Sequence, residues 1–304
     1  MGLRARPVLA AAHTGRASSP EARGEDPLPK AGPPRRILTS AWDAYRWLRE
    51  LSSAPPDGGT CGASIPHYAT GVVTSPEDLN VAPASYPQSG FPDIPGSADM
   101  LLIRHGQSEP YVPGAPFPLT GGHADPGLTP AGREQADRLA LRLATARIDA
   151  IYVSTLRRTA QTAAPLAARL GQAPRVEPRL REVHLGDWEG GEYRRRVAER
   201  DPVVRQVFEQ ERWEVIPGAE TSASLAARVR AAIERLAAAH AGHRLAVFTH
   251  GGVIAQALAL ASGSRPFAFL SVDNGSISRL VVTGQHWIVR GFNDTAHLDG
   301  ALPG

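Results

Sequence analysis

The sequence predicts an α/β domain, a three-layer sandwich with a mainly parallel central sheet, preceded by a largely disordered N-terminal region. Short apolar runs, such as 100–104 and 245–249, alternate with stretches whose apolar residues recur at helical spacing. Strands that alternate with helices favour a parallel sheet covered by helices. Residues 1–97, in contrast, hold 14 of the 27 prolines and show little periodicity.

Local signals justify each element of this fold in chain order. Thr129 is expected to cap a helix with Pro130 at its first position, because proline already has the dihedral angle of a helix start. Leu225 and Val229 lie on one face of a helix that Thr221 or Ser222 opens. The complete predicted order is strand 100–104, helix from 130, strand 150–153, helix 155–170, a short strand 175–177, a partly helical segment 191–212, a helix from 221 or 222, strand 245–249, helix 252–260, and paired strands 276–283 and 286–292.

Three segments are expected along the chain. Residues 1–97 form an extension rich in Pro and Gly, whose composition cannot bury much apolar surface. Within it, 40–51 begins at a capping serine and carries apolar residues at helical spacing, which predicts a short helix able to dock on the domain or on a partner. Residues 98–298 form the folded domain, and 299–304 form a tail.

Composition excludes several classes of function. The formal net charge is only +3, and no basic stripe is interleaved with aromatic residues, so we expect no nucleic-acid partner. No apolar run approaches the roughly 20 residues of a membrane span, so we expect no membrane partner. Cys61 is the single cysteine, which gives no support to an oxidising compartment. The apolar stretch 8–12 is too short for a signal peptide, so we expect a cytoplasmic protein. Assembly into a homo-oligomer stays open.

The tripeptide Arg104-His105-Gly106 follows the first predicted strand. A neutral imidazole is a competent nucleophile toward a phosphoryl group. The neighbouring arginine can hold phosphate oxygens by paired hydrogen bonds, and glycine lets the backbone approach an anion closely. The tripeptide therefore predicts a phosphoryl-transfer site, the alternative being a strand end with a surface histidine.

Three further segments supply groups suited to the same chemistry. Arg157 and Arg158 lie at the start of a predicted helix, where amides and the helix dipole favour an anion. Glu182 is a candidate proton donor to a leaving alkoxide, with Asp187 and Glu189 as rivals. His250 follows a buried strand, where its imidazole and the next amides would stabilise transferring oxygens. Since sites form beyond the carboxyl ends of parallel strands, His105 and His250 can meet there.

Together these segments resemble the histidine phosphatase superfamily, in its phosphoglycerate mutase-like branch, from about residue 101 to 298. The resemblance implies that His105 is the phosphorylated nucleophile and that Glu182 protonates the leaving group and then activates water. The family's Ser-x-Leu-x-Arg spacing selects Arg158 over Arg157, and its Leu-x-Glu-x-x-x-Gly-x-Trp-Glu-Gly pattern selects Glu182 over Glu189. The expected phosphate and substrate contacts come from Arg104, Gly106, Ser108, Tyr111, Arg158, His250 and Gly251.

Tyr111 departs from the family pattern, which often has asparagine six residues after the nucleophile. Ser108, in contrast, fits the usual small hydroxyl residue. We therefore expect an intact phosphate pocket with altered contacts on the substrate side. The loop 110–125 should form part of the entrance, and the segment 191–217 places Arg194, Arg195, Arg196 and Trp213 where they either meet a leaving group or face solvent.

The predicted function is that of a metal-independent phosphomonoesterase of the histidine acid phosphatase type, acting on a small phosphorylated metabolite. The family needs no metal for this chemistry, and we expect no cofactor. A phosphoglycerate mutase, which would return the phosphoryl group to another hydroxyl, is the alternative. A catalytically inactive phosphate-binding or scaffolding module is a third reading.

Overall fold

A computed structural model of the chain describes residues 88, 94–284 and 286–299. The helix predicted over 40–51, nearly all of the extension 1–97 and all but the first residue of the tail 299–304 lie outside the described residues. In the described part of the chain, no helix is both long and apolar enough to cross a membrane.

A six-stranded sheet forms the centre of the domain, with the strand order β5-β4-β6-β1-β7-β8. Strands β1, β6, β4 and β5 run parallel, whereas β7 is antiparallel to β1 and pairs with β8. The mainly parallel sheet predicted from the sequence is confirmed. The strands are β1 (Ala98–Arg104), β4 (Ala150–Val153), β5 (Arg175–Val176), β6 (Arg244–Thr249), β7 (Ile277–Thr283) and β8 (His286–Asp294), with a separate two-stranded ribbon of β2 (Leu119–Thr120) and β3 (His123–Ala124).

Helices cover both faces of this sheet. They are α1 (Pro130–Arg142), α2 (Arg157–Leu170), α3 (Glu192–Ala198), α4 (Pro202–Gln210), α5 (Ser222–Ala239) and α6 (Gly251–Ser262). Strand β1 shows why three layers form. Met100 and Leu102 join one core cluster with α5 and α6, whereas Leu101 and Ile103 join a second cluster with α1 and α2. Alternate residues of a strand point to opposite faces, so an apolar run without polar interruption needs a helix layer on each side.

Two helix starts show how local hydrogen bonds set the boundaries. The Thr129 hydroxyl accepts the amide of Gly132 at 3.0 Å, which confirms the predicted cap of α1. Helix α2 begins at Arg157, two residues later than predicted. The Ser154 hydroxyl accepts the Leu156 amide at 3.1 Å, and Leu156 is extended. Ser154 and Thr155 therefore belong to the turn between β4 and α2.

The register of the parallel strands brings the predicted site residues together. Arg104 is paired with Thr249, so the residues that follow, His105 and His250, leave the sheet side by side. The His105 amide also donates to the Thr249 carbonyl at 3.0 Å. Strand β4 lies on the other side of β6 and ends at the same edge, with Val153 paired to Phe248. The turn that leads to Arg158 thus starts beside His250.

Candidate active site

His105 lies immediately after β1, is nearly buried, and has a defined tautomer. Its Nδ1 lies 2.7 Å from the carbonyl oxygen of Gly106, which can only accept a hydrogen bond. Nδ1 therefore carries the proton in the neutral ring, and Nε2 carries the lone pair. Burial, together with the charges of Arg158 and Arg104, holds the pKa of His105 well below its usual value of 6.5. The ring is thus neutral at physiological pH, with the Nε2 lone pair available.

The peptide of Gly106 is held from both sides. Its amide donates to the Thr162 hydroxyl at 3.0 Å, while its carbonyl accepts from the His105 ring. A Cβ atom on Gly106 would lie 2.4 Å from the carbonyl oxygen of Gly132 in α1, which leaves room only for glycine. The loop after β1 is therefore clamped between α1 and α2, and this clamp orients the imidazole.

His250 precedes α6 and is fully buried. Its ring meets that of His105 edge to face, with the centroids 5.2 Å apart. Nε2 lies 2.9 Å from the Ser154 hydroxyl oxygen, whereas Nδ1 is buried with no hydrogen-bond partner among the described residues. Burial, then the charge of Arg158, lowers the pKa of His250 well below 6.5, so this ring is also neutral.

Two arginines, the half-buried Arg104 and the buried Arg158, place positive charge around the imidazoles. Arg104 donates to the carbonyl of Val272, and its Nε is buried without a hydrogen-bond partner among the described residues. Arg158 donates to the carbonyl of Ala124 at 2.9 Å and lies 3.9 Å from the carboxylate of Asp125. Burial lowers the pKa of Arg158 to about 10, so it remains charged at neutral pH. Guanidiniums with spare donors fit an oxyanion ligand.

The structure separates the acidic candidates of the 182–189 segment. Glu182 lines the cavity beside His105, and its carboxylate accepts the amides of Val183 at 3.0 Å and Gly252 at 3.4 Å. Glu189 also lines the cavity, but its two carboxylate oxygens accept the amides of Ala124 at 2.6 Å and Leu185 at 2.9 Å. Each carboxylate accepts two amides, but Glu189 links the loops of Ala124 and Leu185, whereas Glu182 is held against the first turn of α6 beside His105. Sequence composition alone left these two acids as rivals.

These groups surround a cavity of about 410 Å³. Arg104, His105, Arg158 and Glu182 line it, with His250 buried against the His105 ring. In the described residues, no group of three or more His, Cys, Asp or Glu side chains is arranged to hold a metal ion. The arrangement offers a nucleophilic nitrogen, fixed cations and a carboxyl group around one site, as phosphoryl transfer requires.

Residues 100–295 match the family model of the histidine phosphatase superfamily, branch 1.

The chain belongs to the histidine phosphatase superfamily.

Relatives of this superfamily member include both mutase-like proteins and phosphatases. It is 34% identical over 209 residues to phosphoglycerate mutase-like protein 4 of Arabidopsis thaliana, a match that covers 66% of this chain and 87% of that protein. It is 32% identical over 205 residues to a metal-independent phosphoserine phosphatase of the same plant, with 66% of this chain and 83% of that protein covered. The structure of a mycobacterial glucosyl-3-phosphoglycerate phosphatase aligns with a TM-score of 0.56 at 28% identity, covering 66% of this chain and all of that one.

The entrance of the cavity differs from the sequence expectation at Tyr111. Its ring packs edge to face on Phe117, with the centroids 5.9 Å apart, and against Gly191, where a Cβ would lie 2.2 Å from the tyrosine ring. Tyr111 lies outside the cavity lining, whereas Phe117 and His123 of the predicted entrance loop line it. The Tyr111 ring thus packs within the entrance region and does not line the cavity.

The contacts made by the arginines of α3 distinguish roles that the sequence left open. Arg195 and Arg196 form ion pairs with Glu192, and also with Glu199 and Asp201, respectively. Arg194 lines the cavity, where it donates to the Ser108 hydroxyl at 2.8 Å and lies over the Phe117 ring. Trp213 also lines the cavity. Among these arginines, Arg194 is the one that lines the cavity.

Sequence reasoning missed some residues of the site. Asn274 lines the cavity and donates its side-chain amide to the carbonyl of His105 at 2.9 Å. Thr162 holds the Gly106 amide, and Ser154 contacts His250. Ser154 and Thr162 lie within the 154–162 segment that the sequence analysis singled out for its arginines. Asn274 has no comparable signal, because it reaches the site through the antiparallel pairing of β7 with β1.

Proposed function

We propose that this protein is a metal-independent phosphomonoesterase that transfers the phosphoryl group of a small phosphorylated metabolite to His105 and then to water. One observation carries the proposal. The hydrogen bond from Nδ1 of His105 to the Gly106 carbonyl leaves the Nε2 lone pair for attack, beside Arg104, Arg158 and His250. A nucleophile activated by its tautomer and surrounded by cations fits a phosphohistidine intermediate.

In the first step, Nε2 of His105 attacks phosphorus, so that a P–N bond forms while the P–O bond to the leaving group breaks. Glu182 gives its proton to the departing alkoxide oxygen. Arg104 and Arg158 donate hydrogen bonds to the equatorial oxygens, whose negative charge must be stabilised in the transition state. The bond from His105 to the Gly106 carbonyl offsets the positive charge that develops on the ring.

In the second step, the Glu182 carboxylate removes a proton from water as the water oxygen attacks phosphorus. The P–N bond breaks, its electrons return to Nε2, and inorganic phosphate leaves. His105 is again neutral and Glu182 is again protonated, so the site is ready for another cycle. A single carboxyl group thus acts as acid and then as base.

The relatives named as phosphatases support hydrolysis. Those named as mutases support a second candidate function, that of a phosphoglycerate mutase. A probable phosphoglycerate mutase of Yersinia enterocolitica is 31% identical over 217 residues, with 66% of this chain and 94% of that protein covered. A mutase would return the phosphoryl group from His105 to a second hydroxyl of the substrate. Incubation with 3-phosphoglycerate separates the two, since a phosphatase releases inorganic phosphate and a mutase produces the 2-phosphate isomer.

The decisive experiment compares His105→Ala with His243→Ala across a panel of phosphomonoesters. His243 lies at the other end of β6, outside the catalytic cavity, and serves as the matched control. We expect His105→Ala to lose phosphate release while it keeps its circular dichroism spectrum, and His243→Ala to keep turnover. Wild-type turnover in His105→Ala would overturn the proposed nucleophile. The panel also identifies the leaving group. We further propose a cytoplasmic location for this reaction.

A further inference from the structure

Ser154 is buried at the turn between β4 and α2, and the mechanism above assigns it no role. Its hydroxyl oxygen lies 2.9 Å from Nε2 of His250. The contact follows from the sheet, because β4 and β6 are neighbours and Val153 is paired with Phe248. Ser154 is therefore placed to act on the second imidazole without reaching the substrate.

The hydrogen bonds around Ser154 restrict which way its proton points. Its oxygen accepts the Leu156 amide at 3.1 Å and lies 3.1 Å from the Thr159 hydroxyl oxygen. The Thr159 hydroxyl lies 2.8 Å from the Leu156 carbonyl oxygen, to which it donates. The single Ser154 proton is therefore available either to Nε2 of His250 or to the Thr159 oxygen.

The two choices correspond to the two neutral tautomers of His250. When Nε2 carries the ring proton, it donates to Ser154, and Nδ1 holds a bare lone pair that would repel a phosphoryl oxygen. When Nδ1 carries the proton, Ser154 donates to Nε2, and Nδ1–H requires an acceptor. Nδ1 is buried with no such partner among the described residues, and its ring lies against that of His105. An anionic oxygen on a phosphoryl group bonded to His105 would supply this acceptor.

We infer that Ser154 is a positioning residue that donates its hydroxyl proton to Nε2 of His250 and thereby directs Nδ1–H toward the transferring phosphoryl group. The inference rests on the proposed function and deepens it. In this arrangement His250 acts as a neutral donor that stabilises equatorial oxygen charge, and Ser154 acts through His250 alone. Groups that orient a catalytic imidazole in this way set which nitrogen carries the proton.

The first measurement uses the wild-type protein with ¹⁵N-labelled histidine and orthovanadate, a five-coordinate mimic of the transferring phosphoryl group. The His250 signal is assigned by its absence in His250→Gln. We expect a protonated Nδ1 and an unprotonated, hydrogen-bonded Nε2 in the vanadate complex. A protonated Nε2 in that complex would overturn the inference, and this result depends on no Ser154 variant.

The second measurement compares three variants in steady-state kinetics. Loss of one hydrogen bond between neutral groups changes a rate by about 2- to 10-fold, so we expect Ser154→Ala to lower kcat by about that factor with a smaller change in KM. Ser154→Thr keeps the hydroxyl and should recover most of the loss. Thr159→Val removes a neighbouring buried hydroxyl that does not contact His250, and it should stay near wild-type turnover.

Two kinetic outcomes would contradict the role of Ser154. One is a wild-type kcat in Ser154→Ala, and the other is an equal loss in Ser154→Ala and Thr159→Val, which would mean that both hydroxyls act only in packing. Failure of the proposed function looks different, since the wild-type protein would then release no phosphate from any phosphomonoester. In that case the spectrum of the vanadate complex would still show which nitrogen of His250 carries the proton.

Discussion

Glu182 and Glu189 stand seven residues apart beside one cavity, and the structure predicts opposite consequences for their removal. Glu189→Ala deletes the acceptors of two backbone amides, those of Ala124 and Leu185. A hydrogen bond to a charged group contributes about 1.5–3 kcal/mol, so the lower end for two bonds predicts a loss of roughly 3 kcal/mol in the free energy of unfolding. For a domain of this size, such a loss lowers Tm by about 6–12 °C.

Glu182→Gln should lower Tm less than Glu189→Ala does, because the glutamine carbonyl oxygen can still accept the Val183 amide and only the longer contact with the Gly252 amide is lost. It removes the transferable proton, and general acid–base catalysis typically contributes about 10²–10⁴-fold, so we expect kcat on an alkyl phosphate to fall by that order. With p-nitrophenyl phosphate the leaving group departs without a proton. A rapid burst of p-nitrophenol followed by slow turnover should then appear.

The assay pairs thermal unfolding with stopped-flow and steady-state kinetics on the same two variants. Glu189→Ala should also raise KM, because the Ala124 carbonyl that it positions holds Arg158. The reasoning would be refuted by the reverse pattern, in which Glu189→Ala abolishes turnover at an unchanged Tm while Glu182→Gln remains active.

Three further predictions concern charge, packing and pH. Arg194→Ala should raise KM at least several-fold for phosphomonoesters with a second anionic group. Arg195→Ala should not, because the Arg195 guanidinium is ion-paired with Glu192 and Glu199. Equal KM values for both variants would exclude substrate recognition by Arg194. Gly132→Ala should lower Tm and kcat together, because its Cβ would lie 2.0 Å from the Gln107 carbonyl oxygen; an unchanged Tm would contradict this. His105 and His250 have folded pKa values well below 6.5, so below about pH 6.5 the unfolded chain binds protons that the folded protein does not, and stability falls as pH decreases. Unfolding measured in urea from pH 8 to 5 tests this, and a His105→Gln variant should show a weaker pH dependence.

The elements of the fold were predictable where local chemistry and core packing agree. Thr129 with Pro130 begins α1 as expected, and Leu225 and Val229 are buried on one face of α5. Strand β4 has the predicted bounds, since its four residues are apolar and buried on both sides. The two-residue strands β2 and β3 were not predicted, because so short a ribbon shows no periodicity and forms only when the loop packs.

The candidate site was predictable where a residue type carries its own chemistry. His105, Arg104 and His250 lie at the ends of neighbouring parallel strands, as the order of elements implied. The register also explains why residues far apart in the chain meet. Tyr111 shows the limit of such reasoning, because its place behind the loop depends on Gly191, which a positive φ and the absence of a side chain bring against its ring.

Apolar periodicity, caps and strand ends in the sequence alone determined the α/β sandwich and the edge at which the histidines gather. Tertiary structure decided which nitrogen of His105 keeps its lone pair, which loops the Glu189 carboxylate joins, and which hydroxyl faces His250. These choices rest on hydrogen bonds between segments separated by tens of residues, such as Ser154 with His250. Sequence patterns report the preferences of a segment for burial and local conformation, whereas the partner of a buried polar atom is set only when the segments pack together.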